Sequence, residues 1–262
     1  MATQRELRRL RSLKTGKGRR ESNQYAAEGV RLLEESRRHG IDPVALYFDP
    51  GALSDRGRRL LDDLRTHGIR CEEIAKKQLE SAADTKTPQG LIGVFNYPEI
   101  PLDSLRTCRR LLICDGISDP GNVGTLIRSA QAFDFDAVLL TGESADPFSP
   151  KVVRSTAGAI FGIPALKTSI EDCLCFMDNS EFALVAGAPS ATRGTGLLAD
   201  FSGDRQLALA IGSEGEGVSP GLLERSALRL AIRHSDRVES LNAGVAGSLL
   251  MRELYDLPGD VR

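Results

Sequence analysis

The chain contains no tryptophan, and aromatic residues make up only 5% of its 262 positions. An aromatic platform on which nucleic-acid bases stack is therefore disfavoured as a main binding mode. No apolar run approaches the roughly 18–20 residues of a membrane span, so no bilayer crossing is expected. The opening Met1-Ala2-Thr3-Gln4-Arg5 has no apolar core and no small-residue cleavage site, which argues against a secretory signal. The three histidines (His39, His67, His234) lie far apart, with no carboxylate or cysteine at metal-ligand spacing. The five cysteines are scattered, and Cys173-Leu174-Cys175 lacks a second pair. No metal site is expected, and a reducing, cytoplasmic setting fits the thiols. No Gly-x-Ser-x-Gly nucleophile elbow and no Gly-Lys-Ser/Thr phosphate loop occurs.

What is present begins with charge. The formal net charge of −2 hides a polarised chain. Residues 1–110 carry 22 Lys and Arg against 16 Asp and Glu, whereas residues 111–262 carry 12 against 20. The first twenty residues hold Arg5, Arg8, Arg9, Arg11, Lys14, Lys17, Arg19 and Arg20 against Glu6 alone. Such a run is either a solvated, frayed terminus or an arm for a polyanion, where each neutralised phosphate releases counterions.

Hydropathy patterning divides the chain further. In the front half, Glu28 to Arg38 reads as a helix stopped at Gly40, and a second helix runs from a Ser54 cap to about His67. Short apolar runs at Pro43–Phe48, Ile69–Ile74 and Leu91–Phe95 read as strands. Tyr97-Pro98-Glu99-Ile100-Pro101 looks like an interdomain linker. Beyond it, Leu111–Cys114, Ala137–Leu140, Phe182–Ala186, Leu207–Ile211 and Leu228–Ile232 are continuous apolar runs alternating with helical patterns such as Val123–Phe133. Strands apolar on both faces and separated by helices argue for a covered parallel sheet. In such a sheet chemistry belongs in the loops that follow the strands.

Three loops stand out. The first, Asp115 to Arg128, contains the tight turn Asp119-Pro120-Gly121-Asn122, with Asn122 as the expected helix cap and Arg128 further along the helix. The second, Gly212-Ser213-Glu214-Gly215-Glu216-Gly217, lets backbone approach a ligand closely but matches no dinucleotide fingerprint. Its two glutamates would repel a pyrophosphate and suit a cationic cofactor better. The third runs from Ile232 to Ala246 and carries Glu239-Ser240-Leu241-Asn242 before a small-residue helix.

At these loops the sequence resembles the SpoU (TrmH-like) branch of the SPOUT RNA methyltransferases. Asn122, Gly124 and Arg128 fall on that family's first motif, Gly212, Glu214, Gly215 and Gly217 on its second, and Ile232 with Ser240-Leu241-Asn242 on its third. The front half, through Glu28-Gly29-Val30 and Thr87-Pro88-Gln89-Gly90, resembles the L30e-like substrate-binding domain often fused to these enzymes. The resemblance implies an α/β protein: a SPOUT-type parallel sheet with a deep trefoil knot, plus a smaller N-terminal L30e-like domain. The expected layout is a basic arm over 1–20, a substrate-binding domain over 21–97, a linker over 98–108 and a methyltransferase domain over 109–262.

The implied activity is S-adenosylmethionine-dependent methylation of a ribose 2′-hydroxyl, in ribosomal more than transfer RNA, by a homodimer. Arg128, Asn122, Glu214 and Asn242 carry the expected catalysis, with Glu214 and Asn242 holding the arginine and the cofactor loop. Ala186, Gly187, Gly212, Gly217, Ile232, Ser240 and Leu241 are the expected cofactor contacts. Arg8, Arg9, Arg11, Lys14, Lys17, Arg19 and Arg20 are the expected RNA contacts, and Arg154, in a further family-like stretch, is weighed between RNA and a structural role. The third motif departs from the family: in Arg233-His234-Ser235-Asp236, Arg233 stands where a proline and Asp236 where a glycine is usual. That departure motivates the alternative of a catalytically inactive RNA-binding protein of the same fold.

Overall fold

The computed structural model describes residues 2–188, 206–235 and 237–255. The chain divides into two compact units, one formed by Met1–Glu99 with Phe148–Gly162 and the other by Ile100–Pro147 with Ile163–Arg262. Drawn at these boundaries the charge polarity persists: 21 basic against 15 acidic residues in the first unit, and 13 against 21 in the second.

The first unit opens with helices α1 (Gln4–Ser12) and α2 (Gly16–Ser22). Strand β1 (Gln24–Glu28), helix α3 (Val30–Arg38), strand β2 (Ala45–Phe48), helix α4 (Asp55–Thr66), strand β3 (Cys71–Glu73), helix α5 (Lys76–Ala82) and strand β4 (Leu91–Asn96) follow. The strands form a sheet in the order β1-β4-β2-β3, antiparallel except for the parallel pair β2 and β3. Helix α4 starts where its sequence says, with the Ser54 hydroxyl accepting the Gly57 N–H at 3.2 Å, and it ends before Gly68 at φ +78°.

Residues 2–20 are not a loose arm. Leu7, Leu10 and Leu13 are buried in a core cluster with Tyr47, Leu79, Ile92 and Val94. Periodic leucines between the arginines give α1 an apolar stripe, and burying it orders the segment. Helix α1 is closed by a capping box in which Thr3 and Glu6 bond each other's backbone N–H. The residues that carry the L30e-like resemblance also meet. Glu28 ends β1 rather than starting a helix, and its carboxylate accepts the N–H groups of Asp84 and Thr85. Gly29 turns the chain at φ +105°, and the Gln89 side-chain oxygen accepts the Val30 N–H at 3.2 Å.

The second unit contains β5 (Arg110–Asp115), α6 (Pro120–Ala132) and β6 (Ala137–Thr141). The chain then contributes α7 (Pro150–Ser155) to the first unit, where Phe148 and Phe161 join Tyr25, Phe95 and Tyr97 in an aromatic cluster. It continues with β7 (Ala165–Lys167), α8 (Ile170–Asp178), β8 (Ala183–Gly187), β9 (Leu207–Gly212), α9 (Pro220–Arg225), β10 (Leu228–Leu230) and α10 (Ala243–Tyr255). The six strands are parallel in the order β10-β8-β9-β5-β6-β7.

Two boundaries differ from the sequence reading. Residues 102–107 form a 3-10 turn whose Leu105 is buried in the second unit's core, so little of the 98–108 stretch is linker. Residues 148–162 belong with the first unit, because their aromatic side chains complete its core. Register then sets the functional edge. Asp115 lies opposite Gly212 on one side and Thr141 on the other, so the loops leaving β5, β6 and β9 emerge together.

Candidate active site

At that edge the loops after β8, β9 and β10 and the start of α10 enclose a cavity of about 430 Å³. The turn after β9 is the tightest element. Ser213 and Gly217 bridge across it, with the Gly217 N–H donating to the Ser213 carbonyl at 2.9 Å. A Cβ on Gly212 would lie 1.9–2.1 Å from the backbone of Gly217 and Val218, so only glycine fits there. Gly187, Gly212, Gly217, Ile232, Ser240 and Leu241 line the cavity. Ala186 does not. It is fully buried in the hydrophobic core, because alternation along β8 turns it away from the ligand edge.

The cavity's floor is apolar, with Ile211, Leu230, Leu223 and Leu250, while Glu214, Glu216, Glu239 and His234 bring polar groups to its rim. His234 and Ile232 reach the cavity despite the altered third motif; Asp236 lies outside the described residues. Leu250 was missed because it sits on α10, well after the motif loops.

Three motif residues meet beside this cavity. The Glu214 Oε1 accepts from Asn122 Nδ2 at 3.2 Å, Asn242 Nδ2 at 2.9 Å and the Ala243 N–H at 3.1 Å. Asn242 Nδ2 also lies 2.8 Å from Asn122 Oδ1, and Asn242 Oδ1 accepts the Gly244 and Val245 N–H groups at 3.1 and 3.2 Å. Asn242 therefore caps α10 while gripping the first two motifs. Asn122 is not a cap. Asp119 fills that place, its Oδ1 accepting the Asn122 N–H at 2.9 Å, which leaves the Asn122 side chain free to reach Glu214. Behind this cluster α6 and α10 pack closely: a Cβ on Gly247 would lie 2.3 Å from Leu126 Cδ2, and Ser129 and Ser248 share a 2.7 Å hydrogen bond.

Arg128 stands apart from the other three. It is exposed on α6, does not line the cavity, and makes no hydrogen bond or ion pair among the described residues. Glu214 and Asn242 thus hold Asn122 and each other, not the arginine.

Burial, then the charge of Asp115, pushes the Cys114 and Cys173 thiols up to about 12, which removes both as nucleophiles near neutral pH. Among the described residues no group of three or more His, Cys, Asp and Glu is placed to hold a metal ion, and no helix is long and apolar enough to cross a membrane.

The model of the SpoU rRNA methylase family matches residues 109–252, and that of the MRM3-like substrate binding domain matches residues 4–93. The chain belongs to the SpoU rRNA methylase family. It is 33% identical over 93% of its length to the 23S rRNA (guanosine(2553)-2'-O)-methyltransferase RlmP of Bacillus subtilis, covering 93% of that protein. It is 28% identical over 90% of its length to the 23S rRNA (uridine(2479)-2'-O)-methyltransferase of Streptomyces viridochromogenes, covering 83% of it. Its fold superposes with a TM-score of 0.82 on the crystal structure of the SpoU methyltransferase AviRb from Streptomyces viridochromogenes in complex with AdoMet, at 24% identity and 97% coverage of both chains.

The cavity of this SpoU-family chain fits S-adenosylmethionine on its own terms. Gly187, Gly212, Gly215 and Gly217 bring backbone without side chains to the lining, the apolar floor suits a purine, and rim carboxylates suit a cation.

The expected RNA contacts divide. Arg5, Arg8 and Arg9 share the solvent face of α1 and, with Arg20, form no ion pair among the described residues. Arg11 donates to Ser81 Oγ at 2.8 Å, Lys14 to the Ala83 carbonyl at 2.8 Å, and Lys17 sits 3.8 Å from Glu21; all three stay exposed. Arg19 is only 4% exposed, and its Nη1 donates to the Leu13 carbonyl at 3.0 Å. It ties α2 to the end of α1 and presents no charge to solvent. Arg154 pairs with Asp84 within the first unit, which gives it a structural contact.

Proposed function

We propose that this protein transfers a methyl group from S-adenosylmethionine to a ribose 2′-hydroxyl in ribosomal RNA. The convergence of Asn122, Glu214 and Asn242 beside a glycine-walled cavity carries this reading. A chain that only binds RNA has no evident need for that three-motif cluster, which disfavours the inactive alternative. The family match over residues 109–252 and two relatives named as 23S rRNA 2'-O-methyltransferases support the substrate class. Those relatives modify different nucleosides, a guanosine and a uridine, so the base is left open.

Bound in the cavity, the cofactor supplies an electrophilic methyl on a sulfonium. The protein's part is to bring the ribose hydroxyl into line, remove water and manage the departing proton. In this reading Arg128 acts on the hydroxyl oxygen, and the proton lost by that hydroxyl passes to solvent. A guanidinium stays protonated, so it stabilises the developing alkoxide or anchors the adjacent phosphate. Its separation from its own cavity is accounted for if it serves the site of a second copy. Val245 and Leu249, 48% and 43% exposed one turn apart on α10, give a homodimer an apolar patch to cover.

RNA is taken up by the first unit through Arg5, Arg8, Arg9 and Arg20, with Arg11, Lys14 and Lys17 beside them. The match to a substrate binding domain from residue 4 onward supports this placement. The trefoil knot belongs to the same reading, supported by superposition on the SpoU fold. The cytoplasm, where ribosomal RNA and reduced thiols coexist, is the proposed location.

Mapping 2′-O-methyl positions in ribosomal RNA from cells with and without the gene tests the proposal. The expected result is one position lost with the gene and restored by the purified protein with S-adenosylmethionine. An unchanged map together with no cofactor binding would return the chain to a pure RNA binder.

A further inference from the structure

Asp115 ends β5 as a carboxylate only 6% exposed, and it belongs neither to the cavity wall nor to the cluster of Asn122, Glu214 and Asn242. Both its oxygens are committed. Oδ1 accepts the Thr141 hydroxyl at 2.7 Å, and Oδ2 accepts the Ser219 backbone N–H at 2.7 Å. Its own backbone is in register with Gly212. Gly212 and Ser219 bracket the turn whose residues 213–218 line the cavity. The turn therefore leaves the sheet opposite the backbone of Asp115 and returns to its side chain. A buried carboxylate is costly unless hydrogen-bonded, and here one of its two bonds runs to the base of the cofactor turn and the other to the end of β6.

We propose that Asp115 is a positioning residue for the cofactor site: its carboxylate closes the 212–218 turn and holds the turn's backbone in the shape that binds S-adenosylmethionine. The proposal rests on the cofactor reading above. It concerns acceptor geometry more than charge. An asparagine in its place keeps an oxygen for the Ser219 N–H and turns its amide N–H₂ toward the Thr141 hydroxyl, which accepts as readily as it donates. Alanine loses both bonds. The same link is cut from the other side by Ser219→Pro, since Ser219 already has φ −59° and proline has no N–H to give.

The test is calorimetric titration of the full chain with S-adenosylmethionine, with thermal melts and steady-state methylation of ribosomal RNA from cells lacking the gene. Asp115→Ala is expected to weaken cofactor binding about tenfold or more and to raise KM for the cofactor by more than it lowers kcat. Asp115→Asn should stay within about threefold of the natural protein. Ser219→Pro should weaken binding as alanine does. A folded Asp115→Ala with natural affinity overturns the proposal, and so does an asparagine variant as weak as the alanine one. If Asp115→Ala gives no cooperative melt, natural affinity in folded Ser219→Pro overturns it instead. Failure of the natural protein to bind the cofactor would overturn the cofactor reading itself, a separate result.

Discussion

The two units assemble their expected functions by different physical means. The second unit builds its site at one sheet edge from backbone, amides and single carboxylates, each placed by short hydrogen bonds. The first unit offers a surface: arginines on the outer faces of α1 and α2, held in place by leucines on the inner face of α1. A constellation fails when one atom moves. A charged face degrades gradually, because each phosphate contact adds a roughly independent increment. The difference teaches where substitutions should matter abruptly and where they should merely add up.

The largest effect should come from Arg128, which the second unit presents to solvent. Arg128→Ala is expected to lower turnover on the order of 100- to 1,000-fold, the cost of removing one donor to a developing oxyanion. Calorimetry should find cofactor affinity within about threefold, since the side chain does not line the cavity. Near-natural turnover would end its catalytic assignment. Next comes Gly212→Ala, whose Cβ has no room against Gly217. Cofactor affinity should fall by about 100-fold, while RNA binding measured by filter retention should hold within about twofold. Loss of both together would show that the two units do not divide the work as described.

A smaller and graded effect is expected in the first unit. Replacing Arg8, Arg9 and Arg20 together by alanine should weaken RNA binding about tenfold and flatten its salt slope by about 2, roughly 0.7 per single-stranded phosphate contact. Arg19→Ala should do the reverse, lowering the melting temperature through a lost buried bond while leaving the salt slope alone. Equal slopes for both variants would erase the distinction between face and tie.

The smallest effect concerns acid. The Thr3 backbone and hydroxyl, then Arg70, hold the Glu6 carboxyl down at about 2 from an ordinary 4.5. A depressed carboxyl stabilises the folded state above the ordinary value and loses that contribution as pH falls from about 4.5 toward 2. Glu6→Gln, whose amide oxygen still accepts the Thr3 N–H, should lower the melting temperature slightly at neutral pH, where the ionised carboxylate contributes, and flatten the acid limb of the melting curve over that window.

The sequence was read well where it repeats a physical rule. Continuous apolar runs located β5, β6, β8 and β9 to within a residue or two, since a two-sided buried strand tolerates little else. It was read poorly for β1, whose Gln24-Tyr25-Ala26-Ala27-Glu28 carries no β-branched residue and becomes a strand by pairing with β4. The motif loops were legible because backbone approach demands glycine at positions such as 212. Ala186 was misplaced because a strand's end gives no sign of which face meets the ligand.

Sequence alone therefore determined the chemistry available: the parallel-sheet strands, the glycine turn, the polar motif residues and the polarity of charge, all consequences of residue type and local order. Tertiary structure decided who meets whom. It buried Arg19 and left Arg8 exposed, moved residues 148–162 into the other unit, gave Asp119 the cap expected of Asn122, and set Asp115 at the foot of the cofactor turn. These outcomes depend on contacts between residues 3 to 136 positions apart. Such contacts are fixed by strand register and by which faces must be buried, and a linear sequence states neither.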